Sequence, residues 1–393
     1  MTKKLFMFAA LFMGISGTVA FTSCGSDDDD NNGSQGKEID IDNANDLDYS
    51  AEYAEQWANY MSVASNLLKN DASNLLKYWS DDNNGEYSQS YAKIFIAKGS
   101  NYPSAISCAE TIIDGCAEIA SEVGSSKIGE PYNLYSTDRQ AALYAVESWY
   151  SWHSRDDYTN NIYSIRNSYF GSRNGKVNEN SLSAVLAAVN PELDNEAKKL
   201  INDAAQAIQN IPQPFRNNIN SQESLNAMNA CAALEDFLTN TLKPYFTDNI
   251  NDDATLDPVV KQYVNAVVLP TYSDLAAKNI ALDAAVKAFK ANPSNTTFEA
   301  CAEAWLSARE PWEQSEAFLF GPVADKGLDP NMDSWPLDQK GIVTILKSQD
   351  FNNLNWSGEF DEDNDKIAKA QSLRGFHTLE YLIFKNGKPR TVK

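Results

Sequence analysis

Two histidines stand in this 393-residue chain, His153 and His377, and both have carboxylates close by in sequence. The denser setting is Leu373 to Phe384 (LRGFHTLEYLIF). On a helix, Leu373, His377, Glu380 and Phe384 fall on one stripe, so an imidazole and a carboxylate project together between apolar residues. A partly desolvated His–Glu pair at i, i+3 can bind a metal ion or perform acid–base chemistry. It is also what a core histidine salt-bridged to a neighbouring glutamate looks like, and spacing alone favours that plainer role. A second block runs from Ala304 to Pro322 (AWLSAREPWEQSEAFLFGP), followed by Asp333 to Asp338 (DSWPLD). Arg309, Glu310, Glu313 and Glu316 alternate there with Trp305, Trp312, Phe318 and Phe320, which suits a lined cavity. An amphipathic helix with Arg309 and Glu313 paired along its surface fits the same residues. In a third block, Glu147 to Asp157 (ESWYSWHSRDD), helical spacing puts Glu147, Ser148, Ser151, Ser154 and Asp157 on one polar face, with His153 on another side.

Much familiar chemistry is excluded. The chain has no G-x-S-x-G elbow, no phosphate-cradling G-x-x-x-x-G-K, no G-x-G-x-x-G, no C-x-x-C and no H-E-x-x-H. Two histidines rule out any site built on three imidazoles. The formal net charge of −22 argues against nucleic acid and anionic headgroups as partners.

The elements that must position these residues are helical. Trp57, Met61, Ala64, Leu68, Ala72, Leu75 and Trp79 recur at steps of three and four, marking one face of a long helix. Tyr272, Leu275, Asn279, Leu282, Val286 and Phe289 repeat the pattern, after a predicted helix start at Asp257-Pro258 and a predicted kink or break at Pro270. Ala197, Leu200, Ala204, Ile208 and Ile211 mark another helix, ended by Pro212 and Pro214. No strand-turn-strand alternation appears, so the expected class is all-α, built of helix bundles. The polar stretch Thr247 to Asp257 (TDNINDDATLD) divides the body into a first half, residues 43–250, and a second half, residues 257–393. Cys108, Cys116, Cys231 and Cys301 are expected to be buried free thiols.

The N-terminal segment reads as an export signal. Lys3 and Lys4 precede an apolar stretch, Leu5 to Ala20, too short for a stable membrane span. Residues 1–23 are expected to be cleaved, leaving Cys24 to carry a lipid that holds the protein to the outer membrane. Residues 24–42 form a polar tether. Its run Asp27 to Asp30 resembles the export signal of surface lipoproteins in the Bacteroidetes, and equally a solvated linker. The protein is accordingly placed on the cell surface or on the periplasmic face of that membrane.

Taken together, the blocks resemble the imelysin family. The motif G-x-H-x-x-E is present as Gly375 to Glu380, and W-x-x-A-R-x-P-W-x-x-x-E-A-F-x-F-G-P as Trp305 to Pro322. The similarity extends to Asp333-Ser334-Trp335-Pro336, Glu122 to Ile128 (EVGSSKI), Glu147 to Asp157, and Ile208 to Phe215 (IQNIPQPF). The resemblance implies two packed helical-bundle halves with the His–Glu site toward their interface. It assigns His377 and Glu380 to the core of the site and implies that they are metal ligands. Arg309, Glu316 and Trp335 become wall residues, and Glu147 and Ser151 contributions from the other half. The order of the blocks departs from the family pattern: the usual ending comes first and the usual beginning second. The chain looks circularly permuted, with a junction near Thr247 to Asp257.

Three functions follow from the resemblance. Binding of a divalent or ferric metal ion, or of a metal complex, would serve iron uptake with envelope partners. One imidazole with several carboxylates suits iron or manganese. A metallopeptidase needs a further ligand such as Glu316 or Glu147, because H-x-x-E-H fails at Tyr381. A non-catalytic surface module is the third.

Overall fold

The computed structural model describes Tyr49 and residues 54–392. The predicted signal segment 1–23, the predicted lipidation site Cys24, the predicted tether 24–42 and the run Asp27 to Asp30 lie outside the described residues. The described chain is helical apart from one small hairpin, and among the described residues no helix is long and apolar enough to cross a membrane.

Helix α1, Ala54–Ser80, buries the predicted stripe from Trp57 to Trp79. Helix α2, Ala105–Ser121, opens on a capping box in which Ser104 and Ser107 satisfy each other's backbone N–H groups. It runs into a π-helical turn, Glu122–Lys127. Helix α3, Ser154–Phe170, ends on Gly171 in the left-handed region. Helices α4, Pro191–Gln209, and α5, Gln222–Phe237, pack on each other and on α2 and α3 as one bundle. Helix α6, Asp253–Tyr263, passes through a second π-turn, Val264–Val268, into α7, Leu269–Ala291. Helix α8, Asn295–Glu313, returns along α7, and α7 pairs with α1; α9, Gly375–Ile383, lies against α1 and α8 as the last member of this second bundle. Contacts of α8 with α3, and of α2 with the 3-10 turn Glu316–Phe318, join the bundles.

Some expectations need correction. Helix α6 begins before Pro258, because Asp252 caps it by accepting from the Thr255 N–H; Pro258 sits inside. Pro270, by contrast, stands where the break was expected: it is the second residue of α7, directly after the π-turn Val264–Val268 that divides α7 from α6. The Glu147 to Asp157 segment is not one helix; turns run to Trp152, with Ser148 and Trp152 at positive φ, and α3 starts at Ser154. The chain also holds a hairpin, Phe384–Lys385 paired with Lys388–Pro389, closed by Asn386-Gly387 at φ 53° and 71°. The four cysteines are buried free thiols.

A buried His–carboxylate–arginine centre

Each side chain of the site is held by its element before it meets a partner. Helix α9 can begin at Gly375 because that residue sits at φ +87°, where a Cβ would lie 2.4 Å from the Met332 carbonyl oxygen. Its C-terminal carbonyls, left without intrahelical partners, are satisfied from outside: Trp57 Nε1 donates to Leu382 O at 2.8 Å, and Arg390 donates to Tyr381 O. Trp305 Nε1 donates to Phe376 O at 2.9 Å. Every residue of α9 is buried. His377 and Glu380 therefore stand on a fixed rod.

Helix α8 meets α3 in matched register. Arg309 and Glu313, four apart on α8, face Asp157 and Asn161, four apart on α3. Arg309 Nε lies 3.4 Å from Asp157 Oδ2, and Asn161 Nδ2 donates to Glu313 Oε2 at 2.6 Å. Fully buried, the Arg309 guanidinium gathers four carboxylates: Asp157, Glu147 (2.6 Å), Glu313 (2.5 Å) and Asp333. Glu147 and Ser151 arrive on the strained turn before α3, which the hairpin pins through Gly387 N donating to Tyr150 O.

His377 joins the two bundles. Its Nδ1 donates to Glu380 Oε2 at 2.9 Å, and Ser151 donates to the other oxygen of Glu380 from both N and Oγ, at 2.8 and 2.7 Å. Nε2 then faces Asp333 Oδ1 at 3.1 Å, Glu147 Oε1 at 3.3 Å and Arg309 Nη2 at 3.4 Å. The Trp335 ring meets the imidazole edge-on, centroids 4.8 Å apart. Lys127 Nζ sits 3.0 Å from Glu147 Oε2 and 4.0 Å from Glu316 Oε1.

The charges are strongly perturbed. Burial alone pushes the Glu147 carboxyl up, but Lys127, His377 and Arg309 outweigh it and bring it down to about 2. Burial likewise opposes Asp333, whose carboxyl Arg309 and His377 hold far below the usual range. Burial and Arg309 disfavour the His377 imidazolium, yet Asp333 and Glu147 raise its pKa well above the ordinary value. Burial dominates at Glu313, pushed up to about 8 despite Arg309, and at Glu316, raised well above the usual range.

All seven residues singled out from the sequence gather here. Glu310 does not: it is exposed and pairs with Lys278. Asp157, Glu313, Asp333 and Lys127 complete the centre; spacing puts Asp157 and Glu313 on polar faces without a role in a site, and Asp333 and Lys127 lie in the family-like blocks with no spacing that singles them out. His153 reaches the margin, donating from Nδ1 to Asp157 at 2.8 Å.

The donor set can be tested against a metal ion. Glu147, Asp333 and His377 each offer one ligand atom, all within 4.8 Å of one another. The remaining atoms are tied back: Glu147 Oε2 by Lys127, Asp333 Oδ2 by Trp312 Nε1 at 2.6 Å, and His377 Nδ1 by Glu380. One imidazole with two single-oxygen carboxylates fits a borderline or hard cation, with Glu380 as the carboxylate that orients the histidine. Glu380 is thus placed behind the imidazole rather than beside Nε2. Because Arg309 also holds Glu147 Oε1 and Asp333, an incoming ion shares those oxygens with the guanidinium or displaces it.

Fold and site define an all-helical protein with a buried histidine–carboxylate centre where two bundles meet. The chain belongs to the imelysin family, whose model matches residues 29–240 and 268–392. It is similar to a crystal structure described as an imelysin peptidase from Bacteroides ovatus, 58% identical, covering 89% of this chain and 99% of that one with a TM-score of 0.86. It is also 34% identical over 130 residues to iron-regulated protein A of Synechococcus elongatus. That match spans 33% of this chain and 32% of the relative.

Proposed function

We propose that the protein is a cell-envelope lipoprotein that binds a metal ion, or a complex of one, as cargo for iron uptake at Glu147, Asp333 and His377. The observation that carries this is the orientation of His377: Glu380 takes Nδ1, leaving Nε2 among two carboxylate oxygens. Nε2 holds either a proton or a cation, so loading releases a proton. The relative called iron-regulated protein A supports iron as the cargo. Lipidation at Cys24 would keep the centre at the outer membrane, near uptake partners. Protein purified without a chelating tag is expected to take up one Mn(II) or Fe(II) ion per chain by calorimetry and metal analysis, and His377→Ala to take up none. Equal metal content in both proteins removes the reading.

A metallopeptidase is the second reading, favoured by the description of the Bacteroides ovatus relative. The enclosure weighs against it: the side chains of Glu147, Asp333 and His377 are at most 7% exposed, so a peptide segment must displace more of the surrounding packing to reach them than an ion must. Cleavage of denatured casein by the wild type and not by Glu380→Ala would reverse this order. A surface module without chemistry is what remains if neither metal uptake nor cleavage is observed.

A further inference from the structure

Lys127 is a buried lysine with an unusual route into the centre. Helix α2 does not continue as an α-helix past Ser121; it widens into the π-turn Glu122–Lys127, which rotates Lys127 away from the direction an unbroken helix would give it. That turn is pressed into place. A Cβ on Gly124 would lie 2.8 Å from the Cys231 Cβ, and one on Gly129 would lie 2.7 Å from the Gly124 carbonyl oxygen. The Lys127 ammonium, 8% exposed, reaches Glu147 Oε2 at 3.0 Å inside and the exposed Glu122 at 3.7 Å outside, with Glu316 4.0 Å away.

Two permanent cations thus share Glu147, and they differ. Arg309 is locked in a fork of four carboxylates. Lys127 is a point charge on a flexible stem with one close carboxylate, so it is the cation that can yield. Resting on the metal-binding reading above, we propose that Lys127 is the specificity-determining residue of the centre: its tethered ammonium screens Glu147 and sets how cations are ranked by charge. Repulsion between the ammonium and a cation beside His377 grows in proportion to the charge of that cation. Lys127 therefore disfavours trivalent ions more than divalent ones.

The test compares Lys127→Met and Lys127→Arg with wild type, using Mn(II) by calorimetry and Tb(III) by tryptophan-sensitised luminescence. Lys127→Met is expected to bind Mn(II) about tenfold more tightly and Tb(III) about thirtyfold more tightly, the energies standing in the ratio of the two charges. Lys127→Arg, which keeps the charge, should stay within about threefold of wild type for both. Should the methionine variant fail to fold by circular dichroism, Lys127→Gln makes the same comparison with an amide that still donates to Glu147. Equal changes for both ions, no change, or an arginine variant behaving like methionine overturns the role of Lys127 alone. Wild-type protein that binds neither ion overturns the centre, and this inference with it.

Discussion

At the scale of single residues, the centre is a dense set of charges removed from water, and its margin is open to titration. His153 directly precedes α3 and donates to Asp157, which also accepts from Ser148 and faces Arg309. Burial lowers the His153 pKa, but the Asp157 carboxylate outweighs it and raises it to about 9. In the unfolded chain the value is about 6.5. A raised folded pKa means that this stabilisation is complete below about pH 6.5 and is lost as pH rises through about 9. Between those limits urea unfolding should show a loss of roughly 2–3 kcal/mol in wild type that is missing from His153→Gln. Glu313 and Asp329, both pushed up to about 8 by burial, add decline of the same sign in both proteins, so the difference between them isolates His153. Parallel curves would show that His153 carries no linked proton.

At the scale of elements, the site depends on where helices begin. Helix α9 starts on a left-handed glycine pressed against the Met332 carbonyl, so Gly375→Ala adds both backbone strain and a clash. The expected loss is about 3 kcal/mol or more, together with weaker metal uptake as His377 and Glu380 shift. A thermal midpoint unchanged by that substitution would show that α9 can start elsewhere. Periodicity foretold α1, α4 and α7 because their apolar stripes were continuous. It misread Glu147 to Asp157, where hydroxyls at helical spacing sit on turns held from outside. Ser154 Oγ takes the Glu147 carbonyl, and Gly387 takes the Tyr150 carbonyl. The π-turn that carries Lys127 could not be read from the apolar pattern, because Glu122–Lys127 holds a single large apolar side chain, Val123, too few to show a change of period.

At the scale of the whole molecule, the order of the family blocks becomes a physical proposal. Helix α1, early in the chain, packs on α7 and α9, both late in it. Tyr49 lies edge-on to Phe289 and Phe298, centroids 5.7 and 5.2 Å apart, and Val392 N donates to Asn295 Oδ1. Both ends of the described chain therefore meet the α7–α8 hairpin, which is the condition under which a permuted chain keeps its core. A chain joined from residue 392 to residue 54 by roughly fifteen Gly/Ser residues, and opened between Ile250 and Asp252, should fold with the same helical signal and metal affinity. Failure of that relinked chain to fold removes permutation as the account of the block order.

The split between what was legible in the residues and what packing supplied follows the range of the forces. An amphipathic stripe is written within a few turns, and so are the Asp252 cap and the pairing of His377 with Glu380 three residues on. The helical class and the His–Glu face could be read from such local patterns. The partners of His377 Nε2 could not, since Glu147 is 230 residues away in sequence and Arg309 is 68. Whether a carboxylate is a surface charge or part of a buried centre depends on the water that packing removes, and no local spacing records that. Glu310 and Glu313 show the point: three residues apart on one helix, one pairs with Lys278 at the surface and the other lies fully buried against Arg309.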